Sequence, residues 1–249
     1  MNLDYENQCL EKAIVSALEE QSKMTIGVQS EHTLHRVLKF YLSDNLQNHE
    51  VLINKMYADV VIDQHIYEVQ TKNFNLLRNK LERFLPDYDV TIVYPIALNK
   101  MIYLFNDNGE LIKEFKSPKH SKLFDVMLEL YKIKTFLTNK HLHLKIIILD
   151  LDEHRLEKAK TYRSRKGFER INQIPRKIHQ VYDFQSLLDF KNELLKYDLP
   201  TQFDSKLFSK KCRINIKGAR IALNVLAYLE VVEIVGKKGN SYIYQIKLK

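Results

Sequence analysis

The segment Ala58-Asp59-Val60-Val61-Ile62-Asp63-Gln64-His65-Ile66-Tyr67-Glu68-Val69-Gln70-Thr71-Lys72 carries the residues best suited to chemistry. On an extended strand alternate side chains share a face, so Glu68, Gln70 and Lys72 are expected on one face and Tyr67, Val69 and Thr71 on the other. Asp59 lies on the preceding stretch, which a turn at Asp63-Gln64-His65 would fold alongside. Two carboxylates, an amide and an ammonium are thereby expected to converge. Mg²⁺ takes hard oxygen ligands and usually draws only one or two carboxylates from the protein. Asp59 and Glu68 are the candidate ligands, with the backbone carbonyl of Val69 as a third oxygen. Such an ion lowers the pKa of bound water and neutralises charge on a reacting phosphoryl group. Lys72 is the candidate to orient the water or meet that charge. The chemistry this points to is phosphodiester hydrolysis.

The surrounding pattern supplies the elements that would hold these residues. Asp4–Glu20 reads as an amphipathic helix with Leu10, Ile14 and Leu18 on one face. A second helix is expected after Ser30, a suitable N-cap, with Leu34, Val37, Leu38 and Tyr41 at i, i+3, i+4, i+7. Strands are expected at Val51–Met56, Tyr57–Asp63 and Ile66–Lys72. A helix over Asn73–Leu85 should be stopped by Pro86. Tyr88–Tyr94, rich in β-branched and aromatic residues, reads as a buried strand. The order is α-β-β-β-α-β. Beyond it, Met101–Phe105 and Leu111–Phe115 flank Asn106-Asp107-Asn108-Gly109, a hairpin signal. Lys122–Leu137 reads as helix and Leu144–Leu149 as a buried strand.

This pattern resembles the PD-(D/E)XK nuclease superfamily, which includes restriction endonucleases and archaeal Holliday-junction resolvases. Its motif is an acid on one strand and acid-x-Lys on the next. Asp59 matches the first acid and Glu68 the second. The resemblance covers about residues 31–95 and implies a restriction-endonuclease-like α/β core, a catalytic Mg²⁺ or Mn²⁺, and a helical acid ahead of the strands. Glu31 stands where that acid is implied, on the helix face of Leu34 and Leu38. Two positions depart from the motif: Ala58 replaces its Pro and Gln70 its Lys. Some members of the superfamily look similar in carrying Gln there, and Lys72 is the alternative ammonium. The competing readings are that Asp59 and Glu68 are edge-strand charges, that Glu31 is a first-turn acid, and that Gln70 and Lys72 are structural or solvated. His32 and His35 read as surface residues.

Charge separates the chain into two parts. Residues 1–95 hold 9 Lys+Arg against 14 Asp+Glu, and the remainder holds 30 against 17, for a formal net charge of +8 overall. The basic part is suited to a polyanion and the acidic part to a metal. The basic residues gather first in Lys158–Lys177, with Arg163, Arg165, Lys166, Arg170 and Arg176. After a short helix over Phe184–Tyr197 and a boundary at Pro200, Asp204–Cys212 and Ile216–Leu229 read as helices. Val232–Val235 and Ser241–Leu248 read as strands around Gly236-Lys237-Lys238-Gly239-Asn240. Helix, helix, basic hairpin resembles a winged helix, over roughly residues 180–249. That resemblance implies Lys217, Arg220 and Asn224 as DNA-reading residues on the second helix and Lys237 and Lys238 as phosphate contacts on the wing. The domain reading is a nuclease-like domain at 1–155 with a middle α/β extension, a basic linker at 156–180, and a C-terminal winged-helix domain at 181–249.

The two cysteines, Cys9 and Cys212, lie far apart and suit a reducing, cytoplasmic setting. The apolar runs, Ile146–Leu149 among them, are too short to span a bilayer. Met1–Glu20 is charged throughout and lacks a signal-peptide pattern. The reading is a metal-dependent DNA endonuclease with an appended winged helix, with no membrane partner and a homodimer left open. Its alternatives are a catalytically inactive nuclease fold acting as a DNA-binding regulator and a winged-helix module for protein assembly.

Overall fold

The computed structural model describes residues 2–23, 33–157 and 167–247 of the chain. Two helices open it, α1 (Leu3–Lys23) and α2 (Thr33–Leu42). Then come β1 (His49–Ile53), β2 (Met56–Ile62), β3 (His65–Val69), α3 (Arg78–Phe84, led in by a 3-10 turn at Phe74–Leu77) and β4 (Asp89–Phe105). The α-β-β-β-α-β order expected for residues 31–95 is reproduced from α2 to β4. The chain continues through β5 (Leu111–Lys116), α4 (Met127–Leu130, flanked by 3-10 turns), β6 (Leu142–Glu157) and β7 (Phe168–Phe184). It ends with α5 (Leu187–Leu195), β8 (Phe203–Asp204), α6 (Ser205–Cys212), α7 (Ile216–Tyr228), β9 (Val232–Lys238) and β10 (Ser241–Ile246).

The fold is mixed α/β. Its main sheet runs β1-β2-β3-β4-β6-β7, with β5 also on β4. Strands β1 to β3 are antiparallel neighbours, β3, β4 and β6 are parallel, and β7 returns antiparallel. Turn chemistry fixes the first hairpins: Asn54 and Lys55, both at positive φ, join Ile53 to Met56, and Asp63 at φ 54° joins β2 to β3. Strand β6 flanks β4 along its whole length, so β3 and β5 share the other edge, at Asp89–Val93 and Met101–Phe105. Pro95 falls in the gap between them, where its missing N–H leaves no partner unsatisfied.

Each face of the sheet is covered. Leu10, Ala13, Ala17, Leu34, Val37 and Leu38 from α1 and α2 pack on Val69, Val93, Ile147 and Leu149. The opposite face, with Ala58, Ile66, Ile92 and Ile146, packs on Phe74, Leu81, Phe84, Met127 and Leu130. Ala222, Leu223 and Leu226 of α7 belong to this same cluster. The C-terminal unit therefore shares its core with the rest of the chain. Its own sheet has the order β8-β10-β9. Asp204 and Asn215 cap α6 and α7, accepting from Leu207 N and Gly218 N at 2.8 Å each.

Two expectations are corrected. Residues 168–184, read as mostly basic linker, form the edge strand β7, because Arg176 and Gln173 find acidic partners across it in Asp152 and Glu153. Strands β4 and β6 also run past their expected ends, to Phe105 and Glu157. Among the described residues, no helix is long and apolar enough to cross a membrane.

Candidate active site

Strands β2 and β3 pair through Ile62↔His65, Val61↔Ile66 and Val60↔Tyr67. Asp59 and Glu68 stand opposite each other at the next position, and there the carboxylates take over from the backbone ladder. The Asp59 N–H donates to Glu68 Oε1 (3.4 Å) and the Val69 N–H donates to Asp59 Oδ2 (2.8 Å). Each strand thus holds the other's carboxylate through a backbone N–H. Both side chains are largely buried, Asp59 at 11% and Glu68 at 2% exposure. An isolated buried carboxylate would be very costly, so each needs partners.

The partner is Lys80, on α3. Its ammonium donates to Glu68 Oε2 at 2.7 Å and lies 3.6 Å from Asp59 Oδ1. From α2, His35 Nε2 approaches Asp59 Oδ2 at 3.2 Å. Helix α3 presses Leu81 and Phe84 into the core, which turns Lys80, one residue from Leu81, toward the strand ends. Lys80 and His35 side chains are 22% and 23% exposed, so the solvent-facing side of the cluster is theirs.

Electrostatics follow from this packing. Burial alone would raise the Asp59 pKa, but the hydrogen bond and charge of His35, the Lys80 charge and the Val69 N–H outweigh it and hold it below the usual carboxylate range. Burial and then the Asp59 charge push Glu68 up to about 8, against the opposing pull of Lys80. Burial disfavours the Lys80 cation, yet the two carboxylates raise its pKa. The pair thus titrates as a unit, with Asp59 favoured as the ionised member and Glu68 as the one that holds a proton longer.

The expected strand alternation beyond Val69 does not occur. Strand β3 ends at Val69, and Asn73 adopts left-handed backbone at φ 56°. The Gln70 amide donates to the carbonyls of Lys72 and Asn73 (3.3 Å to the latter), while Glu129 accepts from Phe74 N–H at 2.8 Å. Gln70 thus holds the turn that brings α3 back to the site and does not face the acids. Lys72 is exposed and pairs with no acid among the described residues. Glu31 lies outside the described residues. Val69 contributes its N–H to Asp59. The signal that would have found Lys80 is its place beside the Leu77–Leu81–Phe84 stripe, three residues after Leu77. His35, read as a surface residue, sits one residue after Leu34 on the helix above.

The expected DNA contacts are distributed differently. Arg163, Arg165 and Lys166 lie outside the described residues. Arg170 stands opposite Arg155, and Arg176 pairs with Asp152 at 2.6 Å. Lys217 and Arg220 are exposed on α7, and Lys237 and Lys238 on β9. Asn224 is exposed but accepts from Lys134 Nζ at 3.1 Å, which fastens α7 to the segment after α4. Among the described residues, no three His, Cys, Asp or Glu side chains gather into a ready-made metal cage.

A family model for a domain of unknown function, DUF8091, matches residues 32–185, a span that contains this whole cluster. The chain belongs to that family. A relative by sequence, an uncharacterized protein of Treponema pallidum (strain Nichols), is 32% identical over 171 residues. The match covers 68% of this chain and 66% of the relative, so the chain spans just under two thirds of that protein's length. No solved structure matches the chain.

Proposed function

We propose that the chain is a metal-dependent DNA endonuclease that hydrolyses phosphodiester bonds, with Mg²⁺ or Mn²⁺ held by Asp59 and Glu68. The observation that carries this reading is the convergence of two buried carboxylates from adjacent strands on one lysine, within an α-β-β-β-α-β unit. The donor set fits the ion. Two hard oxygen ligands already focus on a single cation, and the Lys80 side chain beside them is part-exposed. When bound, the ion supplies Lewis-acid stabilisation of the phosphoryl charge. The chain's own residues do the rest. Glu68 would release its proton to solvent on holding the ion, His35 and the Val69 N–H fix the orientation of Asp59, and Lys80 would offer its ammonium to the substrate phosphate. In the C-terminal unit we read α5-β8-α6-α7-β9-β10 as a winged helix. Exposed Lys217 and Arg220 then contact DNA from α7, with Lys237 and Lys238 on the wing.

A plasmid-nicking assay with Mg²⁺ or Mn²⁺ tests the reading, with Asp59→Asn alongside. Metal-dependent nicking that Asp59→Asn abolishes supports it; full cleavage in excess chelator rules it out. One observation favours a second reading, a nuclease-fold DNA-binding regulator without catalysis: the Lys80 ammonium itself neutralises the carboxylate pair. DNA binding without metal binding, measured by calorimetry, would select that alternative.

A further inference from the structure

A cleft of about 490 Å³ lies between the main sheet and the C-terminal unit, on residues that neither the carboxylate cluster nor α7 uses. Four cationic side chains line it: Lys122 ahead of α4, Lys196 at the end of α5, and Lys211 and Arg213 at the end of α6. Lys196 is paired with Glu193 at 2.6 Å and Lys211 with Asp198 at 2.9 Å. Asp198, the one carboxylate on the lining, is 96% exposed. Among the described residues the Lys122 and Arg213 side chains form no ion pair, although the Lys122 backbone N–H donates to Asp125 Oδ2 at 2.8 Å. Arg213 is held at φ 53° where α6 ends, its N–H donating to Ser209 O. The helix dipole accounts for cations at the ends of α5 and α6; it does not account for Lys122, which lines the same cleft from the segment ahead of α4.

The floor is of another character. Ile148 of β6 and Tyr182 of β7 line it from the sheet, with Tyr197 from the opposite wall. Several cations together with apolar and aromatic side chains, in a volume within the range of small-molecule sites, match a ligand with an anionic head and a flat ring. We propose that this cleft binds a free nucleotide, its phosphate among Lys122, Lys211 and Arg213 and its base against Tyr182 and Tyr197. Because one wall is sheet and the other is α5 and α6, the ligand would tie the C-terminal unit to the sheet. The proposal stands independently of the nuclease reading.

Isothermal titration of the full chain with AMP, ATP, adenosine, inorganic phosphate and a short single-stranded oligonucleotide tests it, in chelator so that no divalent ion bridges ligand to the carboxylates. AMP or ATP should bind, adenosine and inorganic phosphate more weakly. Affinity should fall with added salt. Lys122→Ala with Arg213→Ala should weaken binding by about tenfold or more, because the phosphate forfeits charge-assisted hydrogen bonds. If that pair lowers the melting temperature, Lys122→Gln with Arg213→Gln makes the same comparison. Asp59→Asn should leave nucleotide affinity unchanged, which separates this outcome from any result at the carboxylate site. The proposal is overturned by no binding at millimolar nucleotide, by equal affinity for phosphate and AMP, by binding of the oligonucleotide alone, or by binding indifferent to the cation variants.

Discussion

Glu68→Gln tests the electrostatics of the carboxylate pair while nearly preserving its shape. In the native protein Glu68 is held near a pKa of about 8, against an ordinary value of 4.5. A carboxyl raised on folding contributes stability that is complete below its ordinary pKa and lost as pH rises through the folded value. Across that window the folded chain keeps a proton that the unfolded chain has released. Stability should therefore fall by ~1.4 kcal/mol per pH unit, or ~4 kcal/mol between about pH 5 and about pH 8, and then level off. Glutamine cannot titrate, so the variant escapes this decline. Urea denaturation of both proteins in chelator, stepped through the window, measures the difference curve, in which other titrating groups largely cancel. The variant should gain on the native protein as pH rises, and the two should run parallel above about pH 8. A flat difference, or one that favours the native protein with rising pH, would refute the assignment of the retained proton to Glu68. Mg²⁺ should flatten the native decline, since an ionised ligand is what the metal selects, and should leave the variant's curve unmoved.

Asp59→Asn should abolish metal-dependent nicking while circular dichroism and melting temperature stay close to those of the native protein. Lys80→Gln should lower nicking by about a hundredfold or more, the scale of removing one charge-stabilising donor, while calorimetry still detects Mg²⁺ binding. Lys217→Ala with Arg220→Ala should weaken duplex DNA binding and make its log–log salt slope shallower by about 0.9 for each phosphate no longer neutralised, with metal affinity unchanged. Gln70→Ala should destabilise the chain by roughly 1 kcal/mol, since the amide closes the turn into α3, and should lower nicking only through the placement of Lys80.

Legibility in the sequence tracked the locality of the signal. The order α2-β1-β2-β3-α3-β4 was readable because helical periodicity, Pro86 and the turn at Asp63 act within a few residues. Asp59 and Glu68 were readable because a tight hairpin leaves little choice about which residues face each other. Lys80 was not, because its approach depends on where β3 stops, and β3 stops where the Gln70 amide captures the backbone of Lys72 and Asn73. The lengths of β4, β6 and β7 were concealed because Asp150, Asp152 and Glu153 put charges where the strand continues. In the fold Asn99, Lys100, Arg176 and Gln173 satisfy them across neighbouring strands. A basic run read as linker was half of that cross-strand pairing.

The shared core changes how the C-terminal unit must act. Leu223 and Leu226 of α7 lie in one apolar cluster with Met127 and Leu130, and Lys134 reaches Asn224 while lying over the rings of Tyr131 and Tyr228. A helix fixed this way cannot swing as an appended module on a flexible linker. Removing residues 200–249 would expose that cluster, so a truncated chain that fails to bind DNA would report unfolding as readily as a missing DNA-reading surface. The exposed pair Lys217 and Arg220 is the cleaner probe, because neither side chain supports the core. A duplex held by those residues would lie at a set position relative to Asp59 and Glu68. Cleavage, if α7 guides it, should then fall at a constant offset from the bound segment, a pattern that end-labelled duplexes resolve and that Lys217→Ala with Arg220→Ala should blur.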